Sequence, residues 1–475
     1  MLLLAILIAA ECALLVALIV LRDPKYLLLA VVVGLPFEVL QTQALSTLGQ
    51  GGIYGAIRTL LNPGRAAILA TIGMAMVRAR FDPRRLFPDS MVLLPITALL
   101  AFLCLGVVWS DSLHPANEIL ILPMYIAFVF TAPSLIEDRK DLERILGAFL
   151  IVAAGLSVLA IAQRLTGIFQ WRQILIQSDN YSYRSNATFA DPNHLARYLA
   201  ISMSLAVGLI LSTGPRRLTV YLAIPSLVIS AGGIVMTASR SGWLSLMFCT
   251  SVVILTAPIA HYTKLRLFSL AGAALLGGLT LLLLQGGADA QRIKTLASAN
   301  ELLGQREFLI RAGWQMFVEN PFIGVGSGNY QHALLVTYRY LIPDWATTTL
   351  SHTSLITVLS ESGVVGLAAM IFVGFRIGIA LAKTYRAAFV AQTRLVVGWL
   401  AASMMGILLQ SQSEGRLLDD PYLWVLLAIF VAVETRIVLQ PGGSAAEPAA
   451  VVSSQAPVLA SVASRALDEQ GSTMA

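Results

Sequence analysis

Four short polar segments carry the residues whose types could do chemistry in this chain. SHTSLITVLSESGVVG, residues 351–366, sets His352 and Glu361 at the edge of an apolar run. TASRSGW, residues 237–243, places Arg240 in a very short link. YRSNATFADPNHLARYL, residues 183–199, brings Arg184, Asn193 and His194. GQREFLIRAGWQMFVENPFIGVGSGNYQH, residues 304–332, brings Arg306 and Arg311. A guanidinium is a planar fork that donates two parallel hydrogen bonds and keeps its proton, which suits phosphate or diphosphate. An imidazole takes up a proton near neutral pH, which suits general-base work on a hydroxyl.

Plainer roles compete with these. Arg240 could snorkel to lipid headgroups. His352 could be a helix N-terminal residue bonded to backbone, and His194, after Pro192-Asn193, could help start a helix. GVGSGNY, residues 324–330, could be a tight connector whose glycines permit positive φ and close backbone approach. His114 and His332 have no partner that the sequence names. Neither paired acids of the glycosidase type nor metal-ligand spacings stand out.

The elements that must position these residues are transmembrane helices. The 475 residues are 57% hydrophobic and 12% charged, where a soluble chain carries about a quarter charged residues. The apolar residues come in long runs, and runs of about 18 or more read as membrane spans. The expected fold is an all-α, polytopic membrane protein with about 12–13 spans. The runs lie near 3–21, 26–44, 65–79, 91–109, 118–136, 144–165, 195–213, 217–236, 241–260, 266–284, 356–380, 394–412 and 421–438. The third is short enough to tilt or re-enter. The first lacks a basic leader and is read as a retained helix.

Connections rich in Arg and Lys, such as 78–85, 139–144 and 383–394, fall on alternate sides of successive spans. The positive-inside rule makes their face cytoplasmic, with His261 on it. All four polar segments then share the outer face, within 166–194, 237–240 and 285–355. Several arginines at headgroup depth suggest a site for a lipid-linked phosphate or diphosphate. The three cysteines, Cys12, Cys104 and Cys249, sit in apolar runs, which argues against a disulfide framework or a zinc site. No nucleic-acid partner is expected. The expected organisation is N-terminal helices over 1–182, a catalytic membrane region over 183–440 containing the outer loop 285–355, and a disordered cytoplasmic tail over 441–475.

Taken in order, the four segments resemble the signature of the O-antigen ligase superfamily, specifically over about residues 183–370. That superfamily includes O-antigen ligases, O-antigen and exopolysaccharide polymerases, and protein O-oligosaccharyltransferases. The resemblance implies a multi-pass glycosyltransferase of the bacterial inner membrane with its active site facing the periplasm. It implies transfer of a glycan from an undecaprenyl-diphosphate carrier to an acceptor hydroxyl, without metal or other cofactor. The acceptor is a glycan, lipid A-core or a protein. His352 matches the histidine thought to activate the acceptor, and Arg240 and Arg306 match arginines that bind diphosphate. Arg184 and Arg311 are further diphosphate-binding candidates, and Asn193 and Glu361 further substrate-binding ones. Gln305 before Arg306 departs from the family pattern, where a small residue is more usual. Ligase is ranked first and polymerase second. The reading from another class is a lipid-linked oligosaccharide transporter, but transporters tend to show internal repeats and broken helices at mid-membrane, and no repeat is visible.

Overall fold

A computed structural model describes residues 23–38, 62–110, 115–169, 175–176, 182–212, 218–285, 305–344, 351, 353–415 and 417–438. The expected span at 3–21, the end of the one at 26–44, His114, His352 and the tail 441–475 lie outside the described residues. Among the described residues, five helices are long and apolar enough to cross a membrane. The chain is an all-α, polytopic membrane protein. Among the described residues the one small exception is an antiparallel ladder pairing Leu175 with Tyr183 and Ile176 with Ser182.

The helices are α1 (Tyr26–Gly34), α2 (Pro63–Arg78), α3 (Leu93–Leu105), α4 (Pro115–Thr131) and α5 (Arg139–Thr166). They continue with α6 (Pro192–Leu211), α7 (Ile224–Thr237), α8 (Arg240–Thr256), α9 (His261–Gln285) and α10 (Gln305–Glu319). The series ends with α11 (Tyr330–Val336), α12 (Ser354–Ala387), α13 (Ala391–Ser411) and α14 (Pro421–Ala432). The short third run does form a helix, α2, packed on α1. Asn62 starts it by accepting from the Arg65 N–H at 3.1 Å, with Pro63 preset for the first turn. α6 is the centre of the bundle, in contact with α5, α7, α8 and α13. Trp399 on α13 is fully buried and donates to the Ile201 carbonyl of α6 at 3.0 Å.

The two ends of the bundle differ as the charge pattern requires. At one end Lys25 meets Asp141 at 2.8 Å and Glu137 at 3.1 Å. Arg78 pairs with Glu137 there, and Arg144 with Asp141 at 3.0 Å. The other end gathers the 184–194 segment, the α7–α8 link, the loop from α10 to α11, and the facing ends of α12, α13 and α14.

At that end α12 is broken. Gly363 has φ 61° and ψ −162° inside the helix, a region open in practice only to glycine. The break exposes main-chain groups that must find partners, and the 321–326 turn supplies them. The Val364 and Val365 N–H groups donate to the carbonyls of Pro321 and Phe322 at 2.8 and 3.2 Å. The Val325 and Gly326 N–H groups donate in return to the carbonyls of Ser360 and Glu361 at 2.8 and 3.0 Å. Gly324, at φ +67°, lies so close to α12 that a Cβ would sit 2.3 Å from the Glu361 carbonyl carbon. The glycines of the loop therefore serve backbone docking. Gly363→Ala puts its Cβ 2.3 Å from the Phe322 carbonyl. With backbone strain alone at about 1–3 kcal/mol, the variant should melt lower and be cut faster by protease near residue 322; wild-type melting and cleavage would refute the docking account.

Candidate active site

Two helix starts, a third helix and one loop build the site. Asp191 caps α6, its Oδ1 accepting from the Asn193 N–H at 2.7 Å. Ser239 caps α8, its Oγ accepting from the Gly242 N–H at 3.1 Å, so Arg240 lies in the first turn of that helix. The two helix starts are joined where Ser239 Oγ donates to Asn193 Oδ1 at 2.7 Å. Helix N-termini present partial positive charge and favour anions, and here an arginine is added to it. Arg306 lies on α10, next to Gln305.

Arg184 is buried beneath them. Its Nε donates to the Thr237 carbonyl at 3.0 Å and its Nη2 to Asn193 Oδ1 at 2.8 Å. Burial pushes its pKa down from the ordinary value, with Arg240 and Arg306 pushing the same way, against Asp191 and Glu414. Arg306 is lowered likewise, by burial first and by Arg240 next. The structure thus brings Arg184, Arg240 and Arg306 within electrostatic reach of one another, with Asp191 and Glu414 as the opposing charges. Cations within electrostatic reach of one another beside two helix starts would suit a multiply charged anion.

The other candidates fall elsewhere. Arg311 is exposed and pairs with Glu307 one helical turn away. Five residues along a helix turn it by about 140° from Arg306, so the two cannot share a face. Asn193 uses its Oδ1 to hold Arg184 and Ser239, which makes it a positioning group. Glu361 Oε1 accepts the Tyr330 N–H at 3.1 Å, tying the start of α11 to the broken part of α12. His352 lies outside the described residues, but its chain neighbours are firmly held. Ser351 is fully buried, and its Oγ accepts the Thr353 N–H at 3.1 Å and bonds Thr357 Oγ1 at 2.8 Å.

A second polar layer, of which the sequence reading named only His194, reaches the arginines through Glu414. Arg197 on α6 is buried between Glu414 and Asp420. His194 Nδ1 is 3.1 Å from Glu38, and its Nε2 is 3.8 Å from Glu414. Gln410 donates to the Asn193 carbonyl at 2.9 Å and to Glu414 at 3.2 Å. His194 therefore bridges two carboxylates, and the start of the helix belongs to Asp191. The available signal was charge near the ends of apolar runs, at positions 38, 197, 414 and 420, where an unpaired charge is costly.

Residues 225–371 match the family model Wzy_C, described as O-Antigen ligase. The matched stretch contains Arg240, Arg306, Arg311, His352 and Glu361 and begins after Arg184 and Asn193. The resemblance carried by the motifs is borne out over that stretch, and it supports an enzyme of the ligase and polymerase type set in a membrane. No curated protein matches the chain.

Proposed function

We propose, with that family match as the premise, that this protein moves a glycan from an undecaprenyl-diphosphate carrier to an acceptor hydroxyl, acting as a ligase in surface polysaccharide assembly. The observation that carries the proposal is the cluster of Arg184, Arg240 and Arg306 at two helix starts. The diphosphate is the anion it receives. The carrier's polyprenyl tail stays in the bilayer, which explains why the site lies at the end of the apolar helices. Arg240 and Arg306 take the charge that builds on the leaving diphosphate, a preorganised electrostatic effect. Arg184, held by Thr237 and Asn193, fixes the base of the cluster.

His352 accepts the proton of the attacking hydroxyl. The new bond joins the acceptor oxygen to the anomeric carbon, the bond from that carbon to the phosphate oxygen breaks, and the electron pair leaves with the carrier diphosphate. A single displacement of this kind inverts the anomeric centre.

The orientation follows from the basic connections. Reporter fusions near residue 300 are expected to show periplasmic activity, and fusions within 383–394 cytoplasmic activity. The reverse pattern would place the arginines on the wrong side for a periplasmic acceptor.

Deleting the gene tests the role itself. Loss of a ligase leaves long carrier-linked chains unattached to their acceptor. A cell that accumulates single repeat units has lost a polymerase, and that outcome would replace the ligase reading. One cluster of arginines favours the ligase, because a polymerase's acceptor brings a second diphosphate.

A further inference from the structure

The segment between α9 and α12 carries an apolar patch on its outer side. α10 turns Leu309, Ala312 and Met316 inward, and with Tyr330 and Leu334 they form a small core of their own. Away from that core Trp314 and Val318 are 51% and 52% exposed. In the turn that follows, Phe322 is 70% exposed and Ile323 45%. Trp314 leans on the Phe317 ring, with centroids 5.3 Å apart. The acid that ends the helix points elsewhere: Glu319 is turned about 140° from Trp314 around the axis, and it accepts from Tyr338 Oη at 2.6 Å.

The patch continues a surface that already faces lipid. α12 is long and apolar enough to cross the membrane, and few of its residues are buried within the protein. Val364 and Val365 are exposed at the top of its lower part, and their N–H groups bond the carbonyls of Pro321 and Phe322. The turn bearing Phe322 and Ile323 thus stands beside the upper end of the lipid-facing helix. Its depth follows from the length below it. From Gly363 to Lys383 the chain is apolar but for Arg376, whose Nη2 donates to the Met91 carbonyl at 3.3 Å. That stretch makes about 30 Å of helix, the thickness of the hydrocarbon layer. Gly363 therefore stands at the hydrocarbon boundary, and the patch at headgroup level.

We infer that Trp314, Val318, Phe322 and Ile323 seat this segment in the bilayer surface, in the leaflet on the arginine side, where headgroups meet acyl chains. An indole suits that boundary, with its ring in the apolar layer and its N–H in the wet one. Helices that lie in the interface bury their apolar face by about 5–10 Å, enough to cover side chains of this size. The seat has a consequence for the site. Arg306 is on the same helix as Trp314, about 12 Å along its axis, so anchoring the one holds the other near a fixed depth. The inference rests on the membrane fold alone and goes beyond the transferase reading.

The test uses the full-length protein in phosphatidylcholine nanodiscs. The chain has 7 tryptophans, so Trp314 is read as the difference in emission between wild type and Trp314→Phe. Phosphatidylcholine brominated high on its acyl chains is expected to remove most of that signal, and the same lipid brominated near the chain ends less of it. Iodide in the water is expected to quench it far less than it quenches free tryptophan. Phe322→Trp adds a reporter at the most exposed point of the patch, and its added emission should behave alike; if Trp314→Phe does not fold, this variant decides alone. Strong quenching by iodide and none by bromine would put the patch in water and overturn the inference. A signal shielded from both would overturn it too, since another part of the chain or a second copy would then cover the patch. Stronger quenching by the deep bromines would overturn it as well, by placing the patch in the acyl interior. Failure of the transferase reading shows in glycan transfer and leaves this emission unchanged.

Discussion

His352→Ala is expected to lower glycan transfer by about 10²–10⁴-fold, the usual cost of losing a general base. The protein should remain folded and inserted, because the residues on either side of position 352 are held by bonds of their own. Ser351 is fully buried and bonds both Thr353 and Thr357. Thr353 in turn precedes the first residue of α12. None of these bonds needs the imidazole. Purified variant and wild type, matched for melting temperature, would be compared for product formed from a carrier-linked donor. Transfer at the wild-type rate in the variant would make His352 a structural residue and move the base elsewhere.

The second large effect concerns the fork shape of the cations. Arg240→Lys and Arg306→Lys keep one positive charge each but lose the paired, planar donors. A hydrogen bond to a charged group contributes about 1.5–3 kcal/mol, so each change is expected to lower activity by about ten- to a hundredfold. The loss should appear in turnover more than in donor binding if these groups act on the departing diphosphate. Arg184→Lys acts by another route. It cannot reproduce the Thr237 and Asn193 bonds together, so it loosens the joint between the starts of α6 and α8. Arg311→Lys is expected to change little, since its side chain is exposed and paired with Glu307. Full activity of the Arg240→Lys, Arg306→Lys double variant would rule out a fork-shaped phosphate contact.

The membrane helices were legible in the sequence because a run of apolar residues long enough to span has few other uses. The doubtful third run proved to be a helix, α2, and its start at Asn62 and Pro63 was a signal the sequence reading had not used. The sequence reading put Arg184, Arg240 and Arg306 on segments expected at one face; that they stand within electrostatic reach of one another came from the fold. Arg311 was misplaced because five residues along a helix is not a facing interval. The layer of Glu38, His194, Arg197, Glu414 and Asp420 was not legible, since its partners stand 156 to 223 residues apart. No local pattern encodes such pairs. Gly363 was equally hidden: between Ser362 and Val364 it reads as an ordinary small residue in an apolar helix, and only its main-chain partners at Pro321 and Phe322 reveal the break.

That break constrains the order in which the protein can be made. A peptide group left without a partner in hydrocarbon costs several kcal/mol, and the carbonyls of Ser360 and Glu361 and the N–H groups of Val364 and Val365 find theirs on the 321–326 turn. The turn precedes α12 in the chain and leaves the ribosome first. It must already be in place at its end of the bundle before the upper part of α12 can settle. The lower part, with unbroken helical bonding, is free to enter lipid on its own. Biogenesis of this segment is therefore a two-step event in which placement of the loop licenses the final seating of the helix.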